Sequence, residues 1–180
     1  MAEPSLKVLF SAQQIQTRVS ELGRAIKRDY GEGPLMLLCV LKGSFMFAAD
    51  LARAIDSEVH IEFLGVRSYG DSTRSSGAVE ITQDLSAPIV GRDVVIVEDI
   101  VDTGLTADYL LRQVQSRGPR SVRLCALLDK PSRRKCSVRV DYAGFEIDEG
   151  FVVGYGLDLA QRYRNLPDVC LLDLNEPGHS

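Results

Sequence analysis

An α/β chain with a central, mostly parallel sheet flanked by helices is the fold class this sequence predicts, on three observations. Apolar strand-like runs alternate with segments of helical period from residue 12 to residue 128, the pattern of βαβ units joined by right-handed crossovers. Val94, Val95, Ile96 and Val97 form an unbroken β-branched run, which suits a parallel strand covered by helices on both faces, where the alternation of a half-exposed strand is lost. A length of 180 residues at 45% hydrophobic is enough for one well-filled core and short for two, so one domain spanning 1–180 is expected.

The elements follow in order. Ile15, Val19, Leu22 and Ile26 recur at helical spacing behind Ser11 and predict an amphipathic helix over 12–29. Residues 35–41 read as a buried strand, and Gly43 and Ser44 open a helix carrying Phe45, Ala48, Leu51, Ala52 and Ile55. A strand is expected at 59–66. Between Tyr69 and Ala78 the sequence Gly-Asp-Ser-Thr-Arg-Ser-Ser-Gly has almost no apolar content. It predicts a mobile loop, and its place after a strand of the ligand-binding sheet favours a lid, with closure of residues 69–83, over a plain surface hairpin. The strand at 94–97, a helix to Arg117, a stop at Gly118 and Pro119, and a strand over 122–128 complete the central layer. Short strands near 138–140, 151–155 and 169–174 follow.

Charge and cysteine usage restrict the partners. With 21 basic and 25 acidic residues the formal charge is −4, which argues against broad attraction to nucleic acid or membrane. The start Met-Ala-Glu-Pro-Ser-Leu-Lys lacks the apolar run of a secretory leader, and no stretch approaches the ~20 apolar residues of a membrane span, so a cytoplasmic location is expected. Cys39, Cys125, Cys136 and Cys170 are far apart and read as reduced packing residues. His60, in an alternating strand, and His179, in the polar tail, make a histidine-based mechanism a poor fit.

The chemistry concentrates where the β-branched run ends. The chain leaves the sheet through Glu98, Asp99, Ile100, Val101, Asp102, Thr103, Gly104, Leu105 and Thr106, at the carboxyl end of a strand, where open α/β sheets bind ligands. Adjacent carboxylates accept hydrogen bonds from sugar hydroxyls and hold a hard cation such as magnesium. Ala107, Leu110, Leu111 and Val114 then mark a helix whose unpaired N–H groups, with the threonine hydroxyls, form an anion site. Gly104 lets the backbone come close. A plain strand and capped helix, with Asp102 or Thr103 as N-cap, is the competing reading. Neither the Walker loop nor the dinucleotide fingerprint occurs in the chain.

This segment resembles the phosphoribosyl pyrophosphate motif of type I phosphoribosyltransferases, and the form Glu-Asp-Ile-Val-Asp-Thr-Gly is similar to that of the hypoxanthine-guanine phosphoribosyltransferases. The resemblance implies the fold of that family: a core over about 30–160 and a small hood built from the N-terminal helix and the last strand, about 160–180. It implies that Glu98 and Asp99 bind the ribose hydroxyls near the metal, and that Asp102, Thr103, Gly104 and Thr106 cradle the 5′-phosphate, with Leu105 in the loop but given no side-chain role. Leu41, Lys42 and Gly43 match a pyrophosphate loop with a cis peptide between the first two residues. Lys130 matches the lysine that donates to the exocyclic oxygen of a 6-oxopurine; judged alone, it begins a basic run with Arg133, Arg134 and Lys135 that reads as a solvated turn. In Phe151-Val152-Val153-Gly154-Tyr155-Gly156-Leu157-Asp158, Phe151 corresponds to the stacking residue, the Val152 backbone to the purine-edge reader and Asp158 to a metal-holding carboxylate, while Arg164 reaches pyrophosphate. Ser68 and Tyr69 match the closing loop. The metal set is Glu98, Asp99 and Asp158 with Mg2+.

The implied reaction is transfer of the phosphoribosyl group of phosphoribosyl pyrophosphate to hypoxanthine or guanine, giving IMP or GMP plus pyrophosphate, in a homodimer or homotetramer. Asp102 is the expected proton acceptor. The alternatives are action on xanthine or uracil, an RNA-binding regulator of pyrimidine genes on the same fold, or a non-catalytic nucleotide-binding protein.

Overall fold

Helix α1 (Ala12–Tyr30) starts at a capping box: the Ser11 hydroxyl accepts from the Gln14 N–H, and the Gln14 side chain accepts from the Ser11 N–H at 2.9 Å. Lys27 and Arg28 fall in its last turn, where the helix dipole favours cations. Ile15, Val19, Leu22 and Ile26 are buried, as their spacing requires. A computed structural model describes residues 5–68 and 79–173 of the chain.

Eight further elements build the main layer. They are β2 (Leu35–Leu41), α2 (Phe45–Ala54), β3 (Val59–Ser68), β4 (Val79–Gln83), β5 (Asp93–Val101), α3 (Leu105–Gln115), β6 (Ser121–Asp129) and β7 (Tyr142–Glu146). The six-stranded sheet runs β4-β3-β2-β5-β6-β7. Every pairing is parallel except that of β4 with β3. From β2 the chain winds outward through β3, then returns to β5 on the other side of β2 and winds outward again. The strand order therefore reverses between β2 and β5, the place where such sheets open a crevice beyond their carboxyl ends.

Both faces of the sheet are covered. Leu35, Leu37, Cys39, Val95 and Val97 pack with α1 and α2 in one apolar cluster, while Met36, Leu38, Val40, Val94 and Ile96 pack with α3 residues in another. Val94, Val95, Ile96 and Val97 are all completely buried, each contributing about 1.5–3 kcal/mol of transfer free energy. This is why the strand carries no alternation.

A separate three-stranded antiparallel sheet has the order β1-β9-β8, from β1 (Ser5–Phe10), β9 (Val169–Asp173) and β8 (Phe151–Val153). Several expectations change here. The N-terminal helix does not join this small sheet: α1 packs on α2 and β7, and the N-terminal contribution is β1, which the sequence reading left unassigned. Residues 138–140 are irregular, because the chain meets the sheet only at Asp141, whose N–H and carboxylate both bond the Leu124 backbone (2.9 and 3.0 Å). Val138 and Val140 instead pack on the α3-side cluster. β8 stops at Val153 because Gly154 and Tyr155 take positive φ (96° and 51°). Residues 79–83 are not loop but the edge strand β4; the rest of the expected lid, Tyr69 included, lies outside the described residues. Among the described residues no helix is long and apolar enough to cross a membrane.

Candidate functional site

The crevice at the β2/β5 reversal is a cleft of about 340 Å³. It gathers Leu41, Lys42 and Gly43 from the end of β2, Glu98, Asp99, Asp102, Thr103, Gly104 and Thr106 from the end of β5 and the start of α3, and Asp158 and Arg164 from the loop after β8. Val40, Val66 and Ala107 supply apolar wall. Leu105 points elsewhere and is 37% exposed.

Three local conformations shape the cleft. The Leu41–Lys42 peptide is cis. Gly43 sits so close to β5 that a Cβ on it would fall 1.5 Å from Asp99 Oδ2. Gly104 precedes α3 at φ 84°, a left-handed turn that costs glycine little. No side chain caps α3: the Asp102 and Thr103 N-cap alternatives give way to Gly104, and Thr103 Oγ1 accepts only a long 3.5 Å bond from the Leu105 N–H. Uncapped N–H groups at a helix start are free to receive an anion.

The carboxylates are held under electrostatic stress. Burial, then the neighbouring Asp99 charge, pushes the Glu98 carboxyl well above the ordinary range. Burial lifts Asp99 to about 6, opposed by the Ile100 N–H (2.8 Å from Oδ1) and the Arg164 charge. Asp158 is paired with Arg164 at 2.6 Å and accepts the Gln161 N–H at 2.7 Å. Arg164 Nη1 also donates to the Gly156 carbonyl (2.5 Å), while its buried Nε has no partner. Asp102 Oδ1 accepts from Arg133 Nε at 2.7 Å, the two side chains being 38% and 49% exposed. An ion pair that open to water is worth at most about 1 kcal/mol, so it yields readily to an incoming group.

Beside the cleft lies a second cluster. Lys130 is buried, and its Nζ donates to the Gly150 carbonyl at 2.8 Å, next to Phe151, which is 43% exposed, and Val152, which is buried. The Lys130 backbone N–H bonds the Val101 carbonyl at 3.0 Å, so one residue touches both clusters. Ser68 ends β3 in register with Val79. The basic run after Lys130 is not simply a solvated turn: Arg133 pairs with Asp102, and Arg134 is mostly buried against the cleft loop. Neither contact is expected from the sequence reading. A signal was available, since both arginines follow a strand of the same sheet at its carboxyl end.

Among the described residues no three His, Cys, Asp or Glu side chains come together as a metal cage. All four cysteines are free, with Cys39, Cys125 and Cys170 buried. Burial raises the Cys39 and Cys125 thiols, as it does for packing residues.

The model of the phosphoribosyl transferase domain matches residues 5–160. The hypoxanthine-guanine phosphoribosyltransferase of Mycobacterium avium is 51% identical over 172 residues, covering 92% of this chain and 85% of that protein. That of Bacillus subtilis (strain 168) is 47% identical over 166 residues, 92% of each. A solved hypoxanthine-guanine phosphoribosyltransferase of Bacillus anthracis superposes with a TM-score of 0.89 at 43% identity, over 94% of this chain and 99% of that one. With this likeness in sequence and fold, the chain belongs to the phosphoribosyltransferase family, among the hypoxanthine-guanine phosphoribosyltransferases.

Proposed function

We propose that the chain transfers the phosphoribosyl group of phosphoribosyl pyrophosphate to hypoxanthine or guanine, forming IMP or GMP and pyrophosphate in purine salvage. The position of Lys130 carries this reading: its main chain is bonded to the cleft loop and its ammonium donates to the carbonyl of Gly150, the residue before the exposed Phe151, so a base stacked on Phe151 would have a donor from the segment adjoining the sugar site.

Glu98 and Asp99 accept hydrogen bonds from the ribose hydroxyls. The N–H groups at the start of α3, with Asp102, Thr103, Gly104 and Thr106, hold the 5′-phosphate. Leu41, Lys42, Gly43 and Arg164 surround the pyrophosphate, where Lys42 and Arg164 stabilise the departing charge. Phe151 stacks on the purine, the Val152 backbone reads its edge, and Lys130 donates to the 6-oxygen, a donor that an exocyclic amine rejects. As the bond from the purine nitrogen to C1′ forms and the C1′–O bond to pyrophosphate breaks, Asp102 accepts the proton from the imidazole ring and releases Arg133.

The donor set fits magnesium. Glu98, Asp99 and Asp158 offer only oxygen, and burial holds the Asp99 carboxyl up at about 6, a cost that a bound cation would offset. Magnesium commonly takes one or two carboxylates together with substrate phosphates and water, so a cage of three is not required. When bound, it supplies charge neutralisation for the leaving pyrophosphate.

The small sheet, which contributes Phe151 and Val152, serves as the cover over the base, and residues 68 and 69 begin the closing segment. Phe45, Ile61 and Phe63 are 38%, 45% and 43% exposed, and Phe45 and Phe63 share a groove with Lys42. A second copy covering this patch accounts for it as a homodimer or homotetramer contact.

A spectrophotometric assay with phosphoribosyl pyrophosphate, magnesium and hypoxanthine, guanine, xanthine, adenine or uracil tests the reading. Turnover with hypoxanthine or guanine and none with adenine or uracil is expected; inactivity with every base would leave a binding protein.

A further inference from the structure

Arg134 has no part in the chemistry above, yet its side chain, 16% exposed, is turned inward. Nη1 donates to the carbonyls of Val101 (2.7 Å), Asp102 (2.5 Å) and Lys130 (3.3 Å), and Nη2 pairs with the Asp129 carboxylate. The first two carbonyls belong to the cleft loop at the end of β5. The third belongs to the lysine beside Phe151, and Asp129 closes β6. Backbone bonds run the same way, from the Lys130 N–H to Val101 and from the Lys135 N–H to Thr103 (3.0 and 2.9 Å). The arginine also lies against the left-handed turn before α3, where a Cβ on Gly104 would come within 3.2 Å of its Cδ.

Buried carbonyls at a strand end need donors from somewhere. What distinguishes this case is that one rigid guanidinium, with five donors fixed in a plane, serves carbonyls of two different subsites. Resting on the function proposed above, we propose that Arg134 is a positioning residue that couples those subsites: a phosphate seated on the loop fixes the Val101 and Asp102 peptides, and Arg134 passes that order to the Lys130 main chain and so to the reach of its ammonium. The loop and the lysine are then ordered together, once. The first ligand bears the ordering cost and the second binds a site already set.

The test uses a purine base carrying carbon in place of the ring nitrogen that bonds C1′, so that no transfer occurs. Its dissociation constant is measured by calorimetry with and without phosphoribosyl pyrophosphate and magnesium, and each variant is melted to verify folding. In the native protein the donor should tighten the base analogue about tenfold or more, within the usual span of coupling between sites. Arg134→Met should reduce that factor to about threefold or less while leaving the analogue's affinity in the absence of donor nearly unchanged. Arg134→Lys should fall between. Asp129→Asn, which releases the guanidinium from its anchor, should lose part of the factor and supports the test if Arg134→Met does not fold. An undiminished factor in folded Arg134 and Asp129 variants overturns the proposal, as does equal weakening with and without donor, which marks a purely structural arginine. Absence of enhancement in a native protein that binds both ligands overturns it too. Failure of the native protein to bind either ligand overturns the proposed function instead.

Discussion

The two halves of the site are built differently. The half proposed to hold the sugar phosphate occupies the reversal between β2 and β5, where uncapped N–H groups at α3 and a glycine pressed against Asp99 shape the cleft around its charged side chains. The half proposed for the base draws on separate segments, with Lys130 reaching across to Gly150, next in sequence to Phe151 on the edge strand of a small sheet. A cleft shaped by its backbone tolerates little change in the chain that forms it. A side-chain site can be retuned residue by residue. Substitutions in the first half should therefore strike the use of phosphoribosyl pyrophosphate, and those in the second the use of the base.

The largest effect tests the residue between them. Asp102→Asn should lower kcat by about 10²- to 10⁴-fold, the usual worth of general base catalysis, with both KM values within a few-fold of the parent. Unchanged kcat would remove Asp102 from proton transfer and return it to the phosphate loop alone.

Gly43→Ala comes next. Its methyl would fall 1.5 Å from Asp99 Oδ2, so Asp99 must swing away from the ribose. Displacement of this size at a reacting centre costs on the order of 100-fold, and kcat/KM for phosphoribosyl pyrophosphate should drop accordingly while base binding holds. Loss confined to the base would break the division between the halves. Phe151→Ala probes the other side: base–aromatic stacking is worth about 1–3 kcal/mol, and KM for the base should rise about tenfold with little change for the donor substrate.

The smallest effect concerns stability. Glu98 and Asp99 have carboxyls raised by burial, so between their unfolded and folded pKa values the native state holds protons that the unfolded chain releases. Stability of the ligand-free protein then falls as pH rises from about 4 through 6 and beyond. Glu98→Gln removes one of these groups. It should melt on the order of 5 °C above the parent at pH 8 and close to it at pH 4, by thermal scans without magnesium. A lower melting temperature at pH 8 would mean that Glu98 is stabilised as the anion.

The same contrast explains what the sequence made legible. The run from Val94 to Thr106 was readable because strand, carboxylates and anion loop are contiguous, and burial on both sheet faces erases alternation in a way that composition alone reveals. α1 was readable to within a residue from spacing and its cap. The strand expected at 138–140 was misplaced because two valines that pack as irregular chain look like strand residues until the Asp141 bonds to Leu124 set the register. β1 was missed because most of it is exposed, leaving little pattern to read. Arg133 and Arg134 read as surface charge because their place after a strand of the same sheet, the one available hint, does not say that Arg133 meets the Asp102 carboxylate or Arg134 the Val101 and Asp102 carbonyls. Long-range partners, in each case, carried the missing information.

The pairing of β2 with β5 has a consequence for how the protein comes into being. Leu35 lies against Asp93, so the strands that frame the cleft meet only after a helix, a parallel strand and its antiparallel edge have been laid down between them. Non-local parallel pairing of this kind bears its loop-closure cost before any contact rewards it, and forms late. No fragment ending before β5 can possess the cleft, and a growing chain acquires it in one step rather than by degrees. Ligand then acts on the finished fold alone, raising its stability by mass action while leaving partly folded forms without help.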